Sequence, residues 1–356
     1  MPVSVRRLLF FARPDLVVCI NDGVRPVYPI FAFELTDHVP AQDHWMQRFN
    51  HLVGCAQEGV PGAYVMPFEM SHHPKFKSQL DHVFFFAYDR VTEIHETPVF
   101  IAEWETPDGI TPKGDKTYPK CPDRNLRDLK RTFEYLERVI EYAIHGRPLR
   151  ELIKERLIVD LRNRVRTRGY SQIPEIKDFR RLSYNMPNNR PLTRAEFVTW
   201  LNPLGQALPA KLPDRIAKRD AYLIFVPQVG RKGKTTAQLR QYLLEERIKK
   251  RNGDPYVGMP LAFDYLFCRL GATPYERDTN LVIDLSILKF ADLAEFHKKV
   301  WEKSPLQHTD IKILRKDIPS YTMHLREGSS QTLKEILRIY AFAADIIVFE
   351  DALIYF

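Results

Sequence analysis

The chain has only four cysteines, Cys19, Cys55, Cys121 and Cys268, and no two of them stand in a CxxC spacing. Their dispersal excludes a disulfide scaffold and a cysteine-clamped zinc site, and the thiols read as reduced. No apolar run approaches the roughly 20 residues that span a bilayer, and residues 1–13 carry no signal-peptide cleavage pattern. A cytosolic protein with no membrane partner is expected. Internal repeats and low-complexity tracts are missing as well, which leaves a globular chain.

Two tempting motifs also fail. Gly233-Lys234-Thr235 resembles the end of a phosphate-binding loop, but the earlier glycine would fall at Gln228. His38, His44 and His51 do not share one helical face, so core or surface histidines are expected in place of a ligand set, and His72-His73 falls in an expected loop.

What is present is a 356-residue chain, 44% hydrophobic, enough for a sizeable core and two compact domains. The net charge of +8 is modest but uneven. Lys and Arg exceed Asp and Glu by 15 in residues 147–251, whereas both flanks are slightly acidic. Such asymmetry is expected of a surface that contacts a phosphate backbone. Arg156, Arg162, Arg164, Arg166 and Arg168 form its densest part, and Arg231, Lys232 and Lys234 lie further along. The alternative is a solvated helix whose arginines pair with Glu151, Glu155 and Asp160. Arginines outnumber those acids, which favours nucleic-acid contact.

The local pattern near the start of the chain is richer. Asp15 opens the apolar run Leu-Val-Val-Cys-Ile20, Asn21-Asp22-Gly23 supplies a turn, and Tyr28-Pro-Ile-Phe-Ala-Phe-Glu-Leu-Thr36 reads as a second strand. Pairing Asp15 with Glu34 sets Ile20 opposite Pro29 and leaves the turn residues in the loop. Ala32, Glu34 and Thr36 then share one face, and Phe31, Phe33 and Leu35 the other. Opposed Cβ atoms sit about 4.5 to 5.5 Å apart, so both carboxylates reach one Mg²⁺ that polarises a phosphate and activates a water. Residues 43–58 have helical apolar spacing, with Asp37 or Asp43 as candidate N-caps, and residues 62–67 read as a third strand.

This order of elements, with Pro14-Asp15, Glu34-Leu35-Thr36 and Gln47, resembles the PD-(D/E)XK nuclease superfamily over about residues 14–67. The resemblance implies a restriction-endonuclease-like core with Asp15 and Glu34 as metal ligands and Gln47 helping to fix the site. It further implies a Mg²⁺-dependent endodeoxyribonuclease of type II restriction kind, acting as a homodimer on double-stranded DNA. Thr36 stands where that motif has lysine, and Arg48, Lys75 or Lys77 are candidates for the missing charge. Little room precedes Asp15 for that family's first helix. The other readings are a non-catalytic DNA-binding or regulatory protein with a degenerate core, or a nuclease acting on RNA or modified DNA.

Elsewhere, residues 83–88 and 98–104 are expected strands, 106–122 a Gly- and Pro-rich loop, and 125–145 an amphipathic helix. Glu103 and Glu105 share a strand face and form a fallback metal pair. Expected second-half elements are strands at 221–227 and 280–285 and helices at 236–251 and 260–270. The fold class is α/β, a mixed sheet flanked by helices plus a second α/β domain. The expected division is a catalytic domain over 1–146, a basic and Pro-rich connecting region over 147–219, and a DNA-recognition or dimerisation domain over 220–356.

Overall fold

The computed structural model describes residues 2–9, 11, 13–36, 43–66, 69–70, 78–79, 81–103, 127–169, 174–175, 177–179, 189–227, 254, 256–268, 278–290, 308–315, 321–326 and 335–355. Their fold is mixed α/β, with two mixed sheets flanked by helices. The chain divides into two units, Met1–Phe179 and Arg180–Phe356. The expected connector, 147–219, is thereby split between them.

The first unit opens with a short helix, α1 (Val3–Leu8), so the few residues ahead of Asp15 do hold a helix. Strands β1 (Leu16–Ile20) and β2 (Tyr28–Leu35) follow as an antiparallel hairpin. Gly23 takes a left-handed φ of 73° in the turn, and the Asp22 carboxylate accepts from the backbone N–H groups of Val24 and Arg25. Bonding from Arg25, backbone first and then side chain, holds the Asp22 carboxyl down at about 2. Leu16 pairs with Phe33 and Val18 with Phe31, the frame that Asp15 opposite Glu34 requires. A bulge after Val18 then sets Ile20 against Tyr28, not against Pro29. Proline has no N–H for the ladder, and a bulge is the usual accommodation.

Helix α2 (Asp43–Gln57) leads to β3 (Gly62–Met66), parallel to β2. A two-strand ladder, β4 (Glu69–Met70) with β5 (Ser78–Gln79), precedes α3 (His82–His95). Strand β6 (Val99–Glu103), parallel to β3, completes the sheet order β1-β2-β3-β6. The run Val83 to Tyr88, expected as a strand, is the start of α3. Asp81 caps it by accepting from Val83 N–H, and Val83 to Tyr88 are all buried, so no amphipathic stripe betrays the helix.

One sheet face is covered by α4 (Arg127–Ile144), whose Leu129, Tyr135, Val139 and Tyr142 form a core with Phe31, Phe33, Val65 and Phe100. Helices α2 and α3 pack on the other face, where Phe49, Tyr64 and Tyr88 meet ring to ring. A two-turn 3₁₀ segment (Leu149–Lys154) leads to α5 (Arg156–Gly169), which contacts α3, α4 and β6.

The second unit holds β7 (Arg190–Thr193), α6 (Arg194–Leu201), α7 (Asp214–Ala217), β8 (Ala221–Phe225), α8 (Met259–Phe263) and β9 (Thr279–Leu285). It ends with β10 (His308–Arg315), β11 (Tyr321–Arg326), α9 (Glu335–Ala343), β12 (Ile346–Phe349) and β13 (Ala352–Tyr355). The sheet order is β11-β10-β13-β12-β9-β8-β7, with β8, β9 and β12 parallel. Buried Arg219 donates to Asn280 and Asp345, tying α7 to the starts of β9 and β12. The expected helix over 236–251 and the loop over 106–122 lie outside the described residues. Among the described residues no helix is long and apolar enough to cross a membrane.

Candidate functional site

Strand alternation puts Glu34 on the α2 face of β2, opposite Phe31 and Phe33. Helix α2 covers that face, and Glu34 is 0% exposed. The same helix supplies the partners. His51 Nδ1–H donates to Glu34 Oε2 at 2.6 Å, and Arg48 lies one turn earlier with its guanidinium 3.3 Å from Oε1. Buried carboxylates persist only when paired, and here a histidine and an arginine share that task.

Asp15 precedes β1 and is exposed, and its Oδ2 accepts from Leu35 N–H at 2.8 Å. It folds over the end of β2, one residue from Glu34. Thr36 is buried and shares a 3.1 Å hydrogen bond with the Tyr64 hydroxyl. Tyr64 stands beside Glu34 in the β2–β3 register. Burial pushes its phenol well above the usual value, and the charges of Glu34 and Asp15 push the same way. Gln47 is half-buried, on the helical stripe of His51, and makes no hydrogen bond or ion pair among the described residues.

The fit to a metal turns on the remaining oxygens. Glu34 Oε1 is buried and has no hydrogen-bond partner among the described residues. Mg²⁺ keeps several waters and needs only one or two carboxylates beside substrate phosphates. Exposed Asp15 and buried Glu34 supply two carboxylates, with the Arg48 guanidinium 3.3 Å from Glu34 Oε1. Among the described residues no group of three or more His, Cys, Asp and Glu stands ready for a metal. Of the fallback pair, Glu103 ends β6 with its N–H donating to Asp128, and Glu105 lies outside the described residues.

His51 is the residue that spacing rules passed over. Its partner lies 17 positions away on a strand, and a search for histidine sets cannot register a histidine paired with a glutamate. Cys55, one turn further on, donates its thiol to the His51 carbonyl, and burial pushes that thiol well above its usual value.

The basic segment is engaged in a different way from either expectation. Arg162 and Arg166 both bond Asp89 and Glu93 of α3, with contacts of 2.6 to 3.1 Å. Arg164 pairs with Asp128 of α4 at 2.5 Å. These three clamp α5 to its neighbours. Arg156 is the outward member, 96% exposed and only loosely paired with Asp160 at 4.0 Å. Nothing is described of the Arg168 side chain, and Arg231, Lys232 and Lys234 lie outside the described residues, as do Lys75 and Lys77.

No protein-family model, no curated protein and no solved structure matches this chain.

Proposed function

We propose that the first unit is a nuclease core of restriction-endonuclease-like kind, a Mg²⁺-dependent endodeoxyribonuclease that hydrolyses phosphodiester bonds of double-stranded DNA in the cytosol. The observation that carries this reading is the acid pair at the end of β2, where Asp15 folds over Leu35 beside a buried Glu34 whose Oε1 has no hydrogen bond among the described residues. A bound divalent cation would supply a water of lowered pKa and offset charge on the phosphate. The chain's own residues do the rest. His51 fixes the Glu34 carboxylate through Oε2, and Glu34 with Asp15 would hold the cation. The paired Thr36 and Tyr64 hydroxyls provide neutral hydrogen-bonding capacity at the same edge. Arg156, the outward one of the described α5 arginines, offers an exposed charge to a phosphate backbone. Two such sites are needed to cut both strands, hence a homodimer.

A second reading has its own support. Arg48 already stands as a countercharge to Glu34, as in a DNA-binding core that has lost its chemistry. Plasmid cleavage by wild type and Glu34→Ala, with Mg²⁺ and with EDTA, separates the two. The expected outcome is Mg²⁺-dependent cleavage that falls about 100-fold or more in Glu34→Ala, a loss at least as large as outer-shell changes cause at metal sites. Full activity in Glu34→Ala would sink the assignment of the site. Duplex binding without cleavage would favour the second reading, and cleavage confined to RNA or modified DNA would reassign the substrate.

A further inference from the structure

We propose that Arg48 is a phosphate-contacting residue, holding a non-bridging oxygen of the phosphodiester against the acid pair; the identity of the ligand rests on the nuclease reading of Asp15 and Glu34. Two carboxylates at one edge repel a phosphate, so a substrate anion needs a fixed positive charge beside them. The strand does not provide it, because Thr36 is a hydroxyl engaged with Tyr64. Arg48 does.

Its bonding separates it from the arginines that clamp α5. Arg162 and Arg166 spend their donors on Asp89 and Glu93 within 3.1 Å. Arg48 approaches Glu34 Oε1 only to 3.3 Å, and that oxygen still lacks a hydrogen bond, so charge and not directed bonding holds the pair. No other hydrogen bond or ion pair of Arg48 exists among the described residues. Its side chain is 33% exposed, whereas the Glu34 side chain it faces is fully buried. A guanidinium fork with uncommitted donors matches phosphate oxygens bidentately.

The test measures binding of a fluorescein-labelled DNA duplex by anisotropy in EDTA across a salt series, for wild type, Arg48→Met and Arg48→Lys. One lost phosphate contact lowers the slope of log K against log salt by about 0.9. That decrease is expected for Arg48→Met, with the slope kept by Arg48→Lys, which a purely structural role would not produce. Arg48→Gln replaces Arg48→Met if the latter does not fold by circular dichroism. An unchanged slope in the charge-free variant overturns the proposal, even where wild type cleaves with Mg²⁺. A lost slope together with no cleavage by wild type supports the contact and overturns the nuclease reading. No duplex binding by wild type overturns the proposal and leaves the nuclease reading to the Mg²⁺ cleavage assay.

Discussion

Tyr64, Tyr88 and Tyr135 are buried, and burial pushes each phenol above its usual value, reinforced at Tyr64 and Tyr88 by the nearby charge of Glu34. An unfolded tyrosine ionises near pH 10. Because the folded values are higher, the stability these phenols contribute is full below about pH 10 and is lost as pH rises through the folded values. Alkaline titration followed at 295 nm is expected to show these three ionising only as the far-ultraviolet dichroism collapses. Ionisation of all sixteen tyrosines before any loss of dichroism would contradict the buried placement. At this scale part of the site is legible in one dimension. Alternation along β2 separates Glu34 from Phe31 and Phe33 without any structure. His51 and Tyr64 are not legible, since each becomes a neighbour of Glu34 only when α2 and β3 pack on β2.

Among the elements, β3 lies tight against its neighbours at Gly62. A Cβ there would fall 2.9 Å from the Ala32 carbonyl oxygen and 3.0 Å from Leu52 of α2. The carbonyl belongs to the strand that carries Glu34, and backbone cannot swing aside as a flexible side chain can. Gly62→Ala is expected to destabilise the first unit by about 1–3 kcal/mol, the usual cost of overpacking. A urea midpoint equal to wild type would refute the close approach. Helices α3 and α5 show where element-level reading fails. Val83 to Tyr88 resembles a strand because a helix buried all round has no polar stripe. The arginines of α5 exceed the acids on their own helix, but their partners sit on α3, 73 and 77 positions away, and on α4. A rule that looks three or four residues along a helix cannot register such pairs. Glu155, one of the acids expected to serve that helix, is instead taken by Tyr142 and Arg138, bonding that holds its carboxyl below the usual value.

For the molecule as a whole, each unit has its own core: the α4 face of the first sheet, and a separate cluster around Phe197, Tyr222, Ile224 and Val348 in the second. A unit with a private core and its own ion-pair clamps is expected to fold alone. Residues 1–179 by themselves should give one cooperative urea transition with retained near-ultraviolet dichroism. A fragment that binds the hydrophobic dye ANS and lacks near-ultraviolet signal would show that the first unit depends on the second. The excess charge over 147–251 also takes a different meaning at this scale. Part of it is internal to the first unit as the α5 clamp, and Arg156 is the outward remainder among the described arginines of that helix.

Periodicity and turn chemistry, both local, determine the β1–β2 hairpin, the α2 spacing, the amphipathic α4 and the side of β2 on which Glu34 lies. The sequence by itself therefore decides the α/β class and the pairing frame of Asp15 with Glu34, because side-chain alternation and a Gly-containing turn act within a few residues. Tertiary structure alone decides that Glu34 is covered, that His51 and Arg48 meet it, that the residues after Asp81 form a helix, and that most of the described α5 arginines face inward. Each of these depends on which surfaces pack together, and the burial and charge pairing that select those contacts act between residues far apart in the chain.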